Sequence, residues 1–74
     1  MLYILIFESI HKVLKAEQIL AKNNIKFDII PTPKDFSSDC GMSVRIDTLI
    51  TDIELVKTLL LKNELNFQIH KKEI

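Results

Sequence analysis

The residues with the clearest chemical potential lie in one segment near the middle of the chain, residues 31–41. This segment holds the single cysteine, Cys40, followed directly by the single glycine, Gly41, and it also holds both prolines, Pro31 and Pro33. A thiol beside a glycine can meet an incoming group with little steric obstruction, because glycine lacks a Cβ and tolerates positive φ. A turn around a small buried cysteine explains the same pattern equally well, since free cysteines are often buried.

Several neighbours could act on the Cys40 thiol. His11, at the expected start of a helix capped by Ser9, could lower the pKa of the thiol, and the helix N-terminus would add partial positive charge. An exposed helical residue is the simpler explanation of His11. Arg45 is expected on the sheet face opposite the helices, where a surface salt bridge is the alternative explanation. The remaining polar residues could stabilise the loop or offer N–H groups to an anionic sulfur; they are Ser37, Ser38 and Asp39.

Other kinds of site find little support in the sequence. The strong nitrogen and sulfur ligands for a metal are limited to Cys40, His11 and His70, whose spacing matches no zinc motif. A C-x-x-C redox pair needs a second cysteine, and a single glycine cannot build a glycine-rich phosphate loop. We therefore expect neither a metal nor another cofactor. Because no acid, base and substrate pocket can be assembled, we expect a carrier or accessory protein rather than a turnover enzyme.

Composition limits the size and the partners of the protein. The 74 residues fit one domain, residues 1–74, with 47% apolar residues to form a modest core. Ten basic and ten acidic residues give a net charge of zero, which argues against a nucleic-acid binder. The apolar run at residues 2–7 lacks a basic n-region and stops at Glu8, so it predicts neither a signal peptide nor a membrane span. With a free thiol as well, the cytoplasm is the expected compartment.

The apolar pattern predicts strand, helix, strand, repeated once. Strands are expected at residues 2–7, 25–29, 42–46 and 66–70. The first helix should run from its cap at Ser9 to Asn23 and Asn24, with Ile10, Val13, Leu14, Ala16, Leu20 and Ala21 as its apolar residues. The second should begin at a capping box formed by Thr51 and Glu54. This order predicts a ferredoxin-like α+β sandwich, with four antiparallel strands and both helices on one face.

Two expectations follow from that topology. The connection between the second and third strands should lie at the same end of the sheet as the start of the first helix, which brings Cys40 near Ser9, Ile10 and His11. The first strand is apolar on both faces although the helices cover only one. Either Leu2, Ile4 and Ile6 or Tyr3, Leu5 and Phe7 should therefore form an exposed row that favours a homodimer. A few exposed aliphatic side chains on a monomer are the alternative.

The motifs resemble those of a known family. The run Pro31-x-Pro33-x(3)-Ser37-Ser38-x-Cys40-Gly41-x(3)-Arg45 follows Phe7-x-Ser9-x-His11 and Ala16-Glu17. This arrangement is similar to a small bacterial family described as selenium/sulfur carrier proteins, and the likeness covers nearly the whole chain. Thr32 departs from it, standing where a more apolar residue is expected between the prolines. The resemblance implies that Cys40 holds sulfur as a persulfide, or its selenium equivalent, for transfer between donor and acceptor proteins.

A module of another class remains as the competing interpretation. Ferredoxin-like folds host many binding functions, so this chain could be a non-catalytic ligand-sensing or protein-docking module. Cys40 would then pack inward, and Gly41 would only shape a turn. Accessibility of the thiol separates the two interpretations.

Overall fold

The chain folds into an antiparallel sheet with two helices, as seen in a computed structural model that describes residues 1–34 and 41–72. The described elements are β1 (Leu2–Ile6), α1 (Ile10–Lys22), β2 (Asp28–Pro31), β3 (Met42–Asp47), α2 (Ile53–Lys62) and β4 (Gln68–Lys72). The strand order is β2-β3-β1-β4, and each neighbouring pair is antiparallel. The predicted ferredoxin-like α+β fold is confirmed.

The hydrophobic core lies between the sheet and the two helices. Leu5 of β1 stands opposite Val44 of β3, and both are fully buried. Phe7, just after β1, packs against Phe67 with ring centroids 6.0 Å apart. The helices contribute five further buried core residues, Val13, Ala16, Leu20, Val56 and Leu60. Alternate residues of the strands therefore face the helices, as period-two patterning requires.

The second apolar row of β1 is covered within a single chain. Ile4 and Ile6 are only 1% and 4% exposed, so the prediction of an exposed row on this strand is wrong. Ile4 pairs with Arg45 on one side and His70 on the other, and both of these residues are half-buried. Long polar side chains can lay their carbon atoms over an aliphatic neighbour while their polar ends reach water. The open face of the sheet is therefore a charged and polar surface.

The first helix begins where the sequence predicts. Ser9 is its N-cap, and the Ser9 hydroxyl oxygen accepts a hydrogen bond from the Lys12 amide at 3.4 Å. The buried residues Val13, Ala16 and Leu20 follow the three- and four-residue spacing of one helix face. The other apolar residues expected on this stripe, Ile10, Leu14 and Ala21, are exposed instead. Part of the apolar surface of α1 thus faces solvent.

The N-cap of the second helix is one residue later than predicted. Asp52 is the N-cap, and its carboxylate accepts a hydrogen bond from the Glu54 amide at 2.9 Å. The Thr51 hydroxyl instead donates to the Lys26 carbonyl at 2.8 Å. Thr51 therefore links the start of α2 to the segment that precedes β2, and the predicted capping box of Thr51 and Glu54 is wrong.

Both helices end in the same way. Asn23 and Asn63 are the C-caps, and their side-chain amides donate to the carbonyls of Ile19 and Leu59 at 2.7 and 2.8 Å. The next residue has a left-handed backbone in each case, with φ of 59° at Asn24 and 63° at Glu64.

The amide bonds that follow make each end a Schellman motif. The Ile25 amide donates to the Leu20 carbonyl, and the Leu65 amide to the Leu60 carbonyl, both at 3.0 Å. Because these residues complete the helix ends, β2 and β4 begin at Asp28 and Gln68, later than the predicted residues 25 and 66.

The two helix ends permit a matched test of backbone strain. Replacing Glu64 with Asn should stabilise the protein by about 0.5–1 kcal/mol, because Asn adopts left-handed backbone more readily than Glu. The reciprocal change, Asn24→Glu, should destabilise it by a similar amount. Urea unfolding of both variants measures the difference. Equal stability of Glu64→Asn and the native protein would contradict this account of the second helix end.

Candidate functional site

The described ends of the cysteine segment lie at one end of the sheet, together with the start of α1. Ile6, the last residue of β1, pairs with Ser43, and Pro31, the last residue of β2, pairs with Met42. The chain continues from Ile6 through Phe7 to α1. The prediction that this connection and the start of α1 share one end of the sheet is confirmed. Four predicted site residues lie outside the described residues: Ser37, Ser38, Asp39 and Cys40.

Thr32 connects the two described ends of the cysteine segment, residues 31–41, by hydrogen bonds. Its amide donates to the Gly41 carbonyl at 2.9 Å, which extends the β2–β3 pairing one step beyond Pro31. Its hydroxyl is hydrogen-bonded to the Ser43 hydroxyl at 2.7 Å, and Ser43 is completely buried. These bonds fix the backbone of the residue that follows Cys40 against the edge strand.

The role of Thr32 and Ser43 was not predicted from the sequence, although a signal for Thr32 was present. Proline has no amide hydrogen, so Thr32 carries the only backbone donor within residues 31–33. Backbone pairing between β2 and β3 that continues past Pro31 must therefore use the Thr32 amide. The polar residue between the prolines, which departs from the expected apolar pattern, thus has a structural function. Of the prolines, Pro31 ends β2 with an exposed side chain, and Pro33 is half-buried.

Gly41 is exposed, and its surroundings are open. Among the described residues, a Cβ added there would meet no heavy atom within 4 Å, its chain neighbours aside. Its φ is not positive, so the backbone at this position is not left-handed. Space beside the backbone, rather than backbone conformation, is the property that glycine provides next to Cys40.

Ser9 and His11 lie at the same end of the sheet. The Ser9 side chain is engaged as the cap of α1, which gives it a structural role. His11 is the second residue of α1, and its side chain is exposed. The helix N-terminus and a titratable imidazole therefore stand at the end of the sheet to which the cysteine segment returns.

Arg45 points away from the helices, as predicted, and is bound on the open face of the sheet. Its Nη2 and Nε atoms lie 2.6 and 3.2 Å from the Asp28 carboxylate oxygen Oδ2. The two residues face each other across the β2–β3 pair. Because both are partly exposed, this ion pair adds little to stability. The surface salt bridge considered for Arg45 is confirmed.

Two further kinds of site are absent from the described part of the chain. Residues 1–34 and 41–72 contain no group of three or more His, Cys, Asp or Glu residues placed to hold a metal ion. Within the same residues, neither helix has the length and apolar character needed to cross a membrane.

Comparison with known proteins identifies the family. A family model described as "Putative Se/S carrier protein-like" matches residues 2–71. The chain belongs to this family. Neither a curated protein nor a solved structure matches the chain. The matched range includes the whole cysteine segment and nearly all of both βαβ halves, so the resemblance carried by the proline, serine and cysteine motif is confirmed. The name of this family suggests a carrier of selenium or sulfur.

The bond between Thr32 and Ser43 can be tested by removing one hydroxyl. Thr32→Val keeps the shape of the side chain but leaves the buried Ser43 hydroxyl without this partner, which should destabilise the protein by about 1–2 kcal/mol. Thr32→Ser retains a hydroxyl and should lose less. Urea unfolding distinguishes the two variants. If Thr32→Val unfolds at the native urea concentration, the bond does not secure this end of the sheet.

Proposed function

We propose that the protein carries a sulfur or selenium atom on Cys40 and passes it between donor and acceptor proteins, in the cytoplasm. Membership of the Se/S carrier-like family supports sulfur or selenium as the atom that is carried. The single structural observation that carries the proposal is the hydrogen bond from the Thr32 amide to the Gly41 carbonyl. It anchors the residue next to Cys40 at the end of the sheet where α1 begins.

The transfer step needs only one thiol on the carrier. The Cys40 thiolate attacks the outer sulfur of a persulfide on the donor. A new S–S bond forms on Cys40, the donor S–S bond breaks, and the donor leaves as a thiolate. An acceptor thiolate then attacks the outer sulfur of the Cys40 persulfide and regenerates the Cys40 thiolate. Each exchange is balanced without an added oxidant or reductant, and selenium can occupy the outer position in the same scheme.

The other site residues support this exchange in different ways. The positive end of α1 and a protonated His11 favour the thiolate form of Cys40. Backbone N–H groups of Ser37, Ser38 and Asp39 offer donors to an anionic outer sulfur. Arg45 is engaged with Asp28, so we assign it to the sheet surface rather than to the sulfur.

Intact-mass spectrometry tests the cargo and its position. Protein treated with glutathione persulfide should gain the mass of one sulfur atom, because the thiolate accepts the outer sulfur. Cys40→Ser should gain nothing under the same treatment, and dithiothreitol should remove the added mass from the native protein. An equal gain in Cys40→Ser, or none in the native protein, would reject Cys40 as the carrier residue.

Alkylation by iodoacetamide separates a carrier from the alternative docking or ligand-sensing module. The native thiol should react faster than glutathione near neutral pH, and His11→Gln should slow the reaction if the imidazole favours the thiolate. An unchanged rate in His11→Gln would leave the helix terminus as the activating group. Reaction that occurs only after denaturation would instead favour the docking module with a structural cysteine.

Gly41 allows the stability of the fold to be separated from access to the thiol. Gly41→Ala should leave stability unchanged or raise it by up to about 1 kcal/mol, because the backbone there suits alanine and the added Cβ meets open space. Gly41→Val should also fold, but its branched side chain should slow sulfur transfer to a protein acceptor more than alkylation by iodoacetamide. Equal slowing of both reactions would contradict a role for this space in partner approach.

A further inference from the structure

The turn between β3 and α2 exposes two large aliphatic side chains in succession. Leu49 and Ile50 are 84% and 67% exposed, the highest values among the large hydrophobic residues that the structure describes. Isolated exposed aliphatic residues are common on monomers, but an adjacent pair at the tip of a turn is an apolar projection. This turn lies at the end of the sheet opposite the cysteine segment, because Asp47 pairs with Leu2.

Hydrogen bonds hold this turn in one conformation. The Asp47 carbonyl accepts from the Ile50 and Thr51 amides at 3.1 and 3.0 Å, and the Asp47 carboxylate accepts from the Leu49 amide at 2.9 Å. The amide and hydroxyl of Thr48 both donate to the Met1 carbonyl, at 3.0 and 3.1 Å. A surface that is already ordered loses little conformational entropy on binding, so the turn is well suited to contact a partner.

The turn itself and the first turn of α2 carry acidic side chains. Residues 46–56 contain Asp47, Asp52 and Glu54 and no lysine or arginine. Lys57, just beyond, lies 3.4 Å from Glu54. We call residues 47–54 the acidic ridge. Its charge disfavours an anionic lipid surface or a nucleic acid as the occupant and favours a protein surface that is both apolar and basic.

The outward face of α1 has that complementary character. Ile10 and Leu14, one helical turn apart, are both exposed. Their next neighbours in sequence, His11 and Lys15, are also exposed and form a parallel row that Lys22 continues. We call these five residues the basic strip. One chain of zero net charge thus presents an acidic apolar ridge and a basic apolar strip.

We propose that two copies of this chain form an antiparallel two-fold dimer in which the acidic ridge of each copy contacts the basic strip of the other. Ile10 and Leu14 lie toward the end of the sheet where β1 finishes, and the ridge lies at the opposite end. A two-fold axis that reverses one copy brings the ridge and the strip together twice, as a self-complementary interface requires. The open sheet face is a poorer candidate because Ile4 and Ile6 are already covered.

Sedimentation equilibrium at micromolar concentration tests the apolar part of the contact. The native protein should sediment as a dimer, and Leu49→Ser/Ile50→Ser should raise the dimer dissociation constant about a hundredfold or more, since two large side chains lose their burial. Leu61→Ser is the matched control, because Leu61 is 56% exposed on α2 but lies outside both surfaces. It should remain dimeric. A monomeric native protein, or a double variant as dimeric as the control, would overturn the proposal.

A charge exchange tests the pairing of the two surfaces without changing the apolar residues. His11→Glu/Lys15→Glu makes the strip acidic, and Asp52→Asn/Glu54→Lys makes the ridge less acidic while keeping a good helix cap. Each variant alone should dimerise roughly tenfold more weakly, because its contacts lose attraction.

An equimolar mixture of the two variants should recover much of the native affinity, because each altered surface then meets a compatible one. Failure of the mixture to dimerise better than either variant alone would reject this pairing. Because the readout is mass and not sulfur transfer, the result is independent of the carrier proposal. Circular dichroism confirms that each variant is folded, and the charge exchange keeps the test decisive if the serine variant unfolds.

Discussion

The position of β1 between two partner strands is the constraint on which the rest of the structure depends. Its residues pair with β3 on one side and with β4 on the other. β1 itself is apolar on both faces, so a slip of one residue would still place aliphatic side chains on each face. The alternation of β3 resolves this ambiguity, because Val44 and Ile46 must face the helices while Ser43 and Arg45 face the other way. The register of the whole sheet is therefore determined by β3, which is less apolar than β1.

The geometry of the candidate site depends on the register of the sheet. Pairing of Ile6 with Ser43 sets the end of the sheet at which the cysteine segment begins and returns. The Thr32 and Ser43 hydroxyls then meet at 2.7 Å in a place where a polar group without a partner would be costly. A hydrogen-bonded pair with one fully buried member tolerates fewer alternative alignments than an aliphatic pair would. The described ends of the cysteine segment, Thr32 and Gly41, are thus positioned by contacts with the sheet.

The sequence predicted the features that depend on local patterns. The order of the elements, the Ser9 cap and the asparagine-rich helix end follow from periodicity and from residue preferences over a few positions. Two of the errors concern contacts between distant residues. Thr51 was expected to cap α2, but its hydroxyl is used by the Lys26 carbonyl, and Asp52 takes its place. Ile4 is likewise covered by residues of β3 and β4, which are far from β1 in sequence. The hydrophobicity of β1 alone therefore could not predict that Ile4 is buried.

The strand order also determines how the two halves of the chain depend on each other. β1 and β2 come from the first half and β3 and β4 from the second, yet the sheet order β2-β3-β1-β4 alternates between the halves at every step. None of the described strands pairs with another strand of its own half. An isolated half would leave the edges of both its strands unpaired, so hydrogen bonding within the sheet requires both halves at once. Folding must therefore wait for contacts between distant residues, which makes it cooperative and slower than a local topology would allow.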